Sequence, residues 1–157
     1  LIAISFIDIK HFWIPQSLIN FGYLIGFINL ILIEIINRNI LYNYLLKGLL
    51  ASIGTYLLFE ILRLSAKKIY KREALGKGDS KLASMLALWI GPVGMLLSFG
   101  LSYIVAAIYI FVAFSFKIIK KNDMIPFAPF LSIGALLVWF FGNQALLRIM
   151  NVLVIKF

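Results

Sequence analysis

Leu82-Ala83-Ser84-Met85-Leu86-Ala87-Leu88-Trp89-Ile90-Gly91-Pro92-Val93-Gly94-Met95-Leu96-Leu97-Ser98-Phe99 opens a stretch, 82–116, of 35 residues without a charged side chain. A bilayer-spanning helix takes ~20 residues, so the stretch is long for one span and short for two full spans with a loop. Something in it must be abbreviated. The natural break is Gly91-Pro92-Val93-Gly94, because proline removes a backbone donor and the glycines permit a tight reversal. The pattern predicts a short helix over about 80–90 and a long one over about 95–116. Eleven residues at ~1.5 Å each rise ~16 Å, about half of a ~30 Å hydrocarbon core. Asp79, at the head of the short helix, is therefore expected below the membrane surface unless the turn sinks into the bilayer.

The rest of the chain repeats the theme. Of 157 residues, 63% are hydrophobic and 13% charged, against roughly 25% charged in a soluble domain. The mean hydropathy is +1.03. Such a chain needs lipid as its solvent, and its repeated apolar stretches argue for several spans in one membrane domain, 1–157. Residues 1–7 are too few to cross and read as the last turns of a truncated helix ending at Asp8. Spans are predicted over about 15–36, after the break at Pro15, and over about 44–64, with an Asn-rich turn at 37–43 between them. A polar loop at 65–78 carries five of the fifteen basic residues, and a basic loop runs from Lys117 to Asp123. Ile125-Pro126-Phe127-Ala128-Pro129 then leads into a last span over about 130–147. The predicted fold class is all-α: a polytopic membrane helical bundle of about five full or short spans plus a truncated first helix. The chain opens at Leu1, without Met and in mid-hydrophobic sequence, so residues of a longer protein are expected upstream.

With 15 Lys+Arg against 6 Asp+Glu the net charge is +9, which alone could suggest nucleic acid. The basic residues lie between apolar segments, however, and topology accounts for them better. Segment 65–81 holds six Lys/Arg and 117–121 three, while the turns at 37–43 and 91–94 hold one and none, so both basic loops are expected in the cytoplasm. Counting spans backward puts 8–14 on that same side. There is no cysteine and one histidine, His11, which removes disulfides, thiolate metal sites and multi-His metal sites from consideration.

Asp8, Glu34, Glu60, Glu73, Asp79 and Asp123 are the entire supply of acids. Ionisable groups at membrane depth are costly and usually functional. Asp8 follows an apolar helix directly; Asp79 stands in Gly76-Lys77-Gly78-Asp79-Ser80-Lys81 at the start of another. Two carboxylates brought together at low dielectric share a proton, and such a pair suits peptide hydrolysis: the ionised acid deprotonates a water while the neutral one polarises the scissile carbonyl. Gly76 and Gly78 would let a substrate strand approach and leave Asp79 unobstructed. The residues alone leave a second reading open, in which Asp79 caps its helix and Asp8 is a surface acid beside Lys10 and His11.

Phe6-Ile7-Asp8-Ile9-Lys10-His11-Phe12-Trp13-Ile14-Pro15 resembles the first-aspartate motif of the type IV prepilin peptidases, in which an apolar helix end, an Asp and a Pro seven residues later recur. Glu73-Ala74-Leu75-Gly76-Lys77-Gly78-Asp79-Ser80-Lys81-Leu82 is similar to the second motif, a Glu followed by Gly-x-Gly-Asp-x-Lys-Leu. Ile125-Pro126-Phe127-Ala128-Pro129-Phe130 looks like the Pro-rich entry to the last helix of that family. The resemblance covers essentially the whole chain. Its Gly-x-Gly-Asp string is shared with archaeal preflagellin peptidases and, more distantly, presenilin-type proteases.

The resemblance implies catalysis by Asp8 and Asp79, with Pro15, Gly76, Gly78, Lys81 and Pro126 in supporting motif positions. It implies removal of the short basic leader from prepilin-like substrates at the cytoplasmic face of the inner (plasma) membrane, without metal or cofactor. Lys10 and Gln16 depart from larger bacterial members, which have acids or Asn there; this bears on fine specificity. Those members also N-methylate the new amino terminus with S-adenosylmethionine and carry an upstream cytoplasmic region, so methylation would belong to a longer parent.

Other polar residues have simpler readings. Glu73 balances the basic loop or assists substrate, Glu60 and Arg63 are spaced to pair on one helix, and Glu34 and Asp123 sit at span ends. Lys81 biases the charge of Asp79 or meets lipid phosphate. His11 reads as interfacial, and Phe12, Trp13, Trp89, Trp139 and Phe140 as interface belt or core. Two rival functions remain: a proton- or ion-coupled transporter, for which the expected repeats are absent from the sequence, and a structural subunit of a pilus or secretion machine.

Overall fold

The computed structural model describes residues 1–36, 43–71, 76–117 and 125–155, with the main chain alone at 43, 70, 145, 146 and 148–155. Every regular element among them is helical: α1 (Ile2–His11), α2 (Gln16–Ile36), α3 (Asn43–Tyr70), α4 (Lys77–Ser115) and α5 (Ala128–Ile155). Three segments, Gln16–Ile36, Tyr44–Ile69 and Lys77–Ser115, are long and apolar enough to cross a membrane, and α5 adds a shorter apolar stretch, Ala128–Gln144. Large apolar side chains such as Phe21, Leu24, Leu50, Ile53 and Ile61 face outward along the first two, a surface that suits lipid.

The break expected in the long apolar stretch is there, and it is narrower than a four-residue turn. Gly91 alone leaves the helical region (φ 72, ψ −179), and Pro92 follows at once. Positive φ with extended ψ belongs to glycine, and proline is at home in the first turn of the segment that resumes.

Three boundaries differ from expectation. α1 runs through Asp8 to His11 rather than ending at Asp8, closing on Phe12 in the left-handed conformation (φ 52, ψ 33). α3 continues through the beginning of the expected loop to Tyr70: Ser65-Ala66-Lys67-Lys68 contains no breaker, and Lys67 and Lys68 in the last turn suit the negative end of the helix dipole. α5 extends past 147 and is kinked at Gly142 (φ 74, ψ 156). The expected turn at 37–43 and most of the loop 117–123 lie outside the described residues.

The chain divides into two compact units, one of Leu1–Phe12 with Leu96–Phe157 and the other of Trp13–Met95. In the second, the first part of α4 is the hub: Leu82, Ala83, Met85, Leu86, Ala87 and Leu88 are all buried, as befits a helix apolar on every side. Small residues let α2 and α3 approach it. A Cβ on Gly22 would overlap the Met85 sulfur, and one on Gly26 would stand 2.7 Å from Trp89 Nε1. Polar links add to the contact: Trp89 Nε1–H donates to the Gly22 carbonyl at 3.1 Å, and the Ser84 hydroxyl donates to the Ser52 carbonyl at 2.8 Å. This is how membrane helices associate where apolar burial gives little drive. Trp89 is thus a packing residue, while Phe12, Trp13, Trp139 and Phe140 are exposed.

In the first unit, α1 packs on α5 through the buried Ile4 and Asp8, and the second part of α4 meets α5 where Gly134 lies against Ser98 and Ser102. The rings of Phe99, Tyr103 and Phe127 cluster, with centroids 4.6 to 6.4 Å apart.

Candidate active site

Asp79 is held by the turn that precedes it. Gly76 stands just before α4 and Asp79 is its third helical residue. The Asp79 N–H donates to the Gly76 carbonyl at 3.2 Å, and the Gly76 N–H donates back to Asp79 Oδ2 at 3.3 Å. Helix starts leave these donors orphaned, and a carboxylate at the third position reaching back to the cap is one half of a capping box. Asp79 is therefore not the N-cap residue itself; it is a buried carboxylate aligned with the positive end of the helix dipole.

The two glycines have separate reasons to be glycine. A Cβ at Gly76 would stand 3.3 Å from Asp79 Oδ2, and a Cβ at Gly78 would stand 3.1 Å from Ile14. The space beside Gly78 is thus taken by the chain's own Ile14. Pro15 explains why Ile14 is there: its carbonyl accepts the N–H groups of Leu18 and Ile19, at 3.2 and 3.4 Å, and so starts α2. Gln16, the next residue, accepts a hydrogen bond from Lys81 Nζ, and Tyr23 OH donates to the Lys81 carbonyl at 3.4 Å. Lys81 thereby ties the head of α4 to the head of α2. Gln16, set apart in the sequence only as a departure from the motif, is a working part of this junction.

A third link comes from α3. Glu60 and Arg63 pair as their spacing predicts, Arg63 Nε donating to Glu60 Oε2 at 3.0 Å and Nη2 to Oε1. The fully buried Ser80 also donates to Glu60 Oε2, at 3.4 Å. The residue next to Asp79 is thus fastened to an ion pair within the second span, a contact between residues twenty apart that no local pattern announces.

Asp8 is buried in the first unit, one turn from the end of α1. Its Oδ2 accepts the main-chain N–H of Ala128 at 3.3 Å. The Phe127 carbonyl accepts the Leu131 N–H at 3.1 Å, which makes Phe127 the cap of α5, Ala128 its first helical residue and Pro129 its second. Pro126 precedes that cap and is half-buried. Asp8 lies outside the three spans; burial pushes its carboxyl up from the ordinary value, and the Ala128 N–H acts in the opposite direction.

The candidate residues thus fall into two local constellations: Asp8 with the Pro126–Pro129 entry of α5, and Asp79 with Pro15, Gly76, Gly78 and Lys81. Glu73 and Asp123 lie outside the described residues. Lys10 and His11 are exposed in the last turn of α1. One oxygen of Glu34, Oε1, is shielded and accepts no hydrogen bond among the described residues, so the Glu34 carboxylate is less solvated than a span end suggests. Among the described residues no three His, Cys, Asp or Glu side chains group as a metal ion would require.

Known proteins match over most of the chain. Prepilin leader peptidase/N-methyltransferase of Stutzerimonas stutzeri is 30% identical over 144 residues, 92% of this chain and 47% of that protein. The proteins of that name from Xanthomonas campestris and Pseudomonas aeruginosa are 30% and 28% identical over 145 and 144 residues. The chain spans about half the length of these curated relatives. No solved structure matches it. The family described as type IV leader peptidase matches residues 1–111, a range that contains both aspartates, and the chain belongs to that family.

Proposed function

We propose that this chain carries the peptidase activity of a prepilin leader peptidase, with Asp8 and Asp79 as the catalytic pair. The observation that carries the reading is that both motif aspartates are buried, each with one oxygen held by the main-chain N–H of a helix start. Carboxylates held in this way are oriented before substrate arrives. In the proposed reaction one acid is ionised and takes a proton from the attacking water, while the other is protonated and donates to the scissile carbonyl. The roles exchange as the tetrahedral intermediate collapses and the leaving amine is protonated. No metal or cofactor enters.

The substrate is a prepilin-like protein, cut where its short basic leader meets the apolar segment behind it, on the cytoplasmic side of the plasma membrane. The charge pattern supports that face, since the basic segment 65–81 runs directly into Asp79. N-methylation by S-adenosylmethionine belongs to the proposal for a longer protein. The cavity lined by Ile133, Leu136, Leu137, Phe140 and Phe141 has apolar side chains alone and is a poor match to such a charged cofactor, and no methyl-transfer step is assigned to the described residues.

The test is leader cleavage by membranes containing the chain. Asp8→Asn and Asp79→Asn each abolish the shortened product while the protein still inserts. Full cleavage by either variant sinks the proposal, and proton-driven uptake into vesicles, lost in the same variants, would favour a transporter.

A further inference from the structure

α5 begins in a way that leaves a donor available. The first N–H groups of a helix have no partner within it. Here Pro129, at the second helical position, has no N–H at all, so the donor next to the cap is concentrated at Ala128. Ala128 is fully buried, and the acceptor it meets is a carboxylate oxygen from another helix, 120 residues away in sequence. Asp8 Oδ1 accepts no hydrogen bond among the described residues. Lys10 and His11, the basic residues of the same helix end, are exposed, so burial and the Ala128 donor are what act on the Asp8 carboxyl among the described residues.

We propose that the start of α5 is the positioning element for Asp8: the Ala128 N–H holds Oδ2, sets the rotamer and favours the ionised form, leaving Oδ1 to exchange protons in the reaction. The Pro-rich entry then has a defined purpose. Pro126 and Pro129 fix the chain on either side of the Phe127–Ala128 pair, and the helix dipole behind the Ala128 donor acts in the same direction. Ala128 touches no substrate in this account; it works through Asp8.

The proposal rests on the peptidase reading, and its test separates the two. Ala128 is replaced by the corresponding hydroxy acid, which turns its N–H into an ester oxygen and leaves the side chain unchanged. The same exchange at Phe130, in the same helical turn, is the control. Ala128→Pro repeats the loss of the donor with a natural residue at a helix position that tolerates it. Two quantities are read: the pH profile of kcat/KM for leader cleavage, and the pH midpoint at which a carbodiimide labels Asp8, followed by mass spectrometry.

A donor to the carboxylate lowers its pKa, so removing it raises the pKa. Both Ala128 variants therefore move the labelling midpoint and one limb of the profile upward by about half to one pH unit, with kcat/KM at the original optimum reduced on the order of tenfold. The Phe130 ester leaves both in place. An unmoved midpoint in the Ala128 ester, or an equal shift in the Phe130 ester, overturns the proposal. If the unmodified chain cleaves no prepilin, the peptidase reading fails and the labelling midpoint still decides the positioning role.

Discussion

A methyl group added at Gly78 would stand 3.1 Å from Cβ, Cγ1 and Cδ1 of Ile14, a side chain that is itself buried and has little room to yield. Gly78→Ala is expected to destabilise the protein by about 1–3 kcal/mol, as overpacking does, read as a lower unfolding temperature in detergent. Ile14→Ala alone costs about 2–5 kcal/mol by leaving a cavity, and the double variant falls short of the sum because each change relieves the other. Additive losses would show that the two residues are not in contact. Gly76→Ala acts differently. Its Cβ would press on Asp79 Oδ2, so under the proposed mechanism cleavage falls on the order of tenfold while unfolding changes little, because a small displacement of the proposed catalytic carboxylate is felt in rate first. The spacing of Gly76, Gly78 and Asp79 could be read directly from the sequence, and so could the place of each aspartate near a helix end. What occupies the space beside Gly78 could not, because Ile14, like Gln16 and Glu60, reaches the Asp79 turn only through tertiary packing.

Helix breaks show the same division between local and non-local signals. Gly91 was legible because Pro92 follows it, whereas Gly142 has no proline beside it and sits in a run that reads as an uninterrupted span. The end of α3 was misread for the opposite reason: a cluster of lysines marks the end of a membrane span, but not the end of a helix, and nothing between Ser65 and Tyr70 stops the backbone. Gly91, Gly142 and Gly100 test the backbone argument, since an added Cβ meets nothing within 4 Å at any of them. Gly91 and Gly142 have φ of 72 and 74, so alanine there is strained and should cost about 1–3 kcal/mol. Gly100 is helical, and Gly100→Ala should be neutral or stabilising by up to about 1 kcal/mol. Thermal unfolding of the three variants in one detergent checks the order. Equal effects at all three would remove the kinks as the cause.

At the scale of the molecule, charge orients what hydropathy inserts. Each of the three long spans is apolar over at least 18 residues, so insertion alone does not choose a direction. The choice falls to the loops, where 65–81 and 117–121 together carry nine of the fifteen basic residues and 37–43 carries one. The chain contains no cysteine, so single cysteines report on topology without background. Cysteine at Lys71 or Lys117, both exposed, should resist a membrane-impermeant maleimide in intact cells and label fully once the membrane is opened. Cysteine at Asn39 should label from outside in both conditions. Neutralising Lys67, Lys68, Lys71 and Arg72 together should weaken the bias and give mixed labelling at Lys117, since the remaining basic loop then orients the chain alone. The proposed chemistry depends on this result: a leader entering from the cytoplasm meets Asp79 only if 65–81 is on that side, and strong external labelling at Lys71 would place the second motif on the wrong face for it.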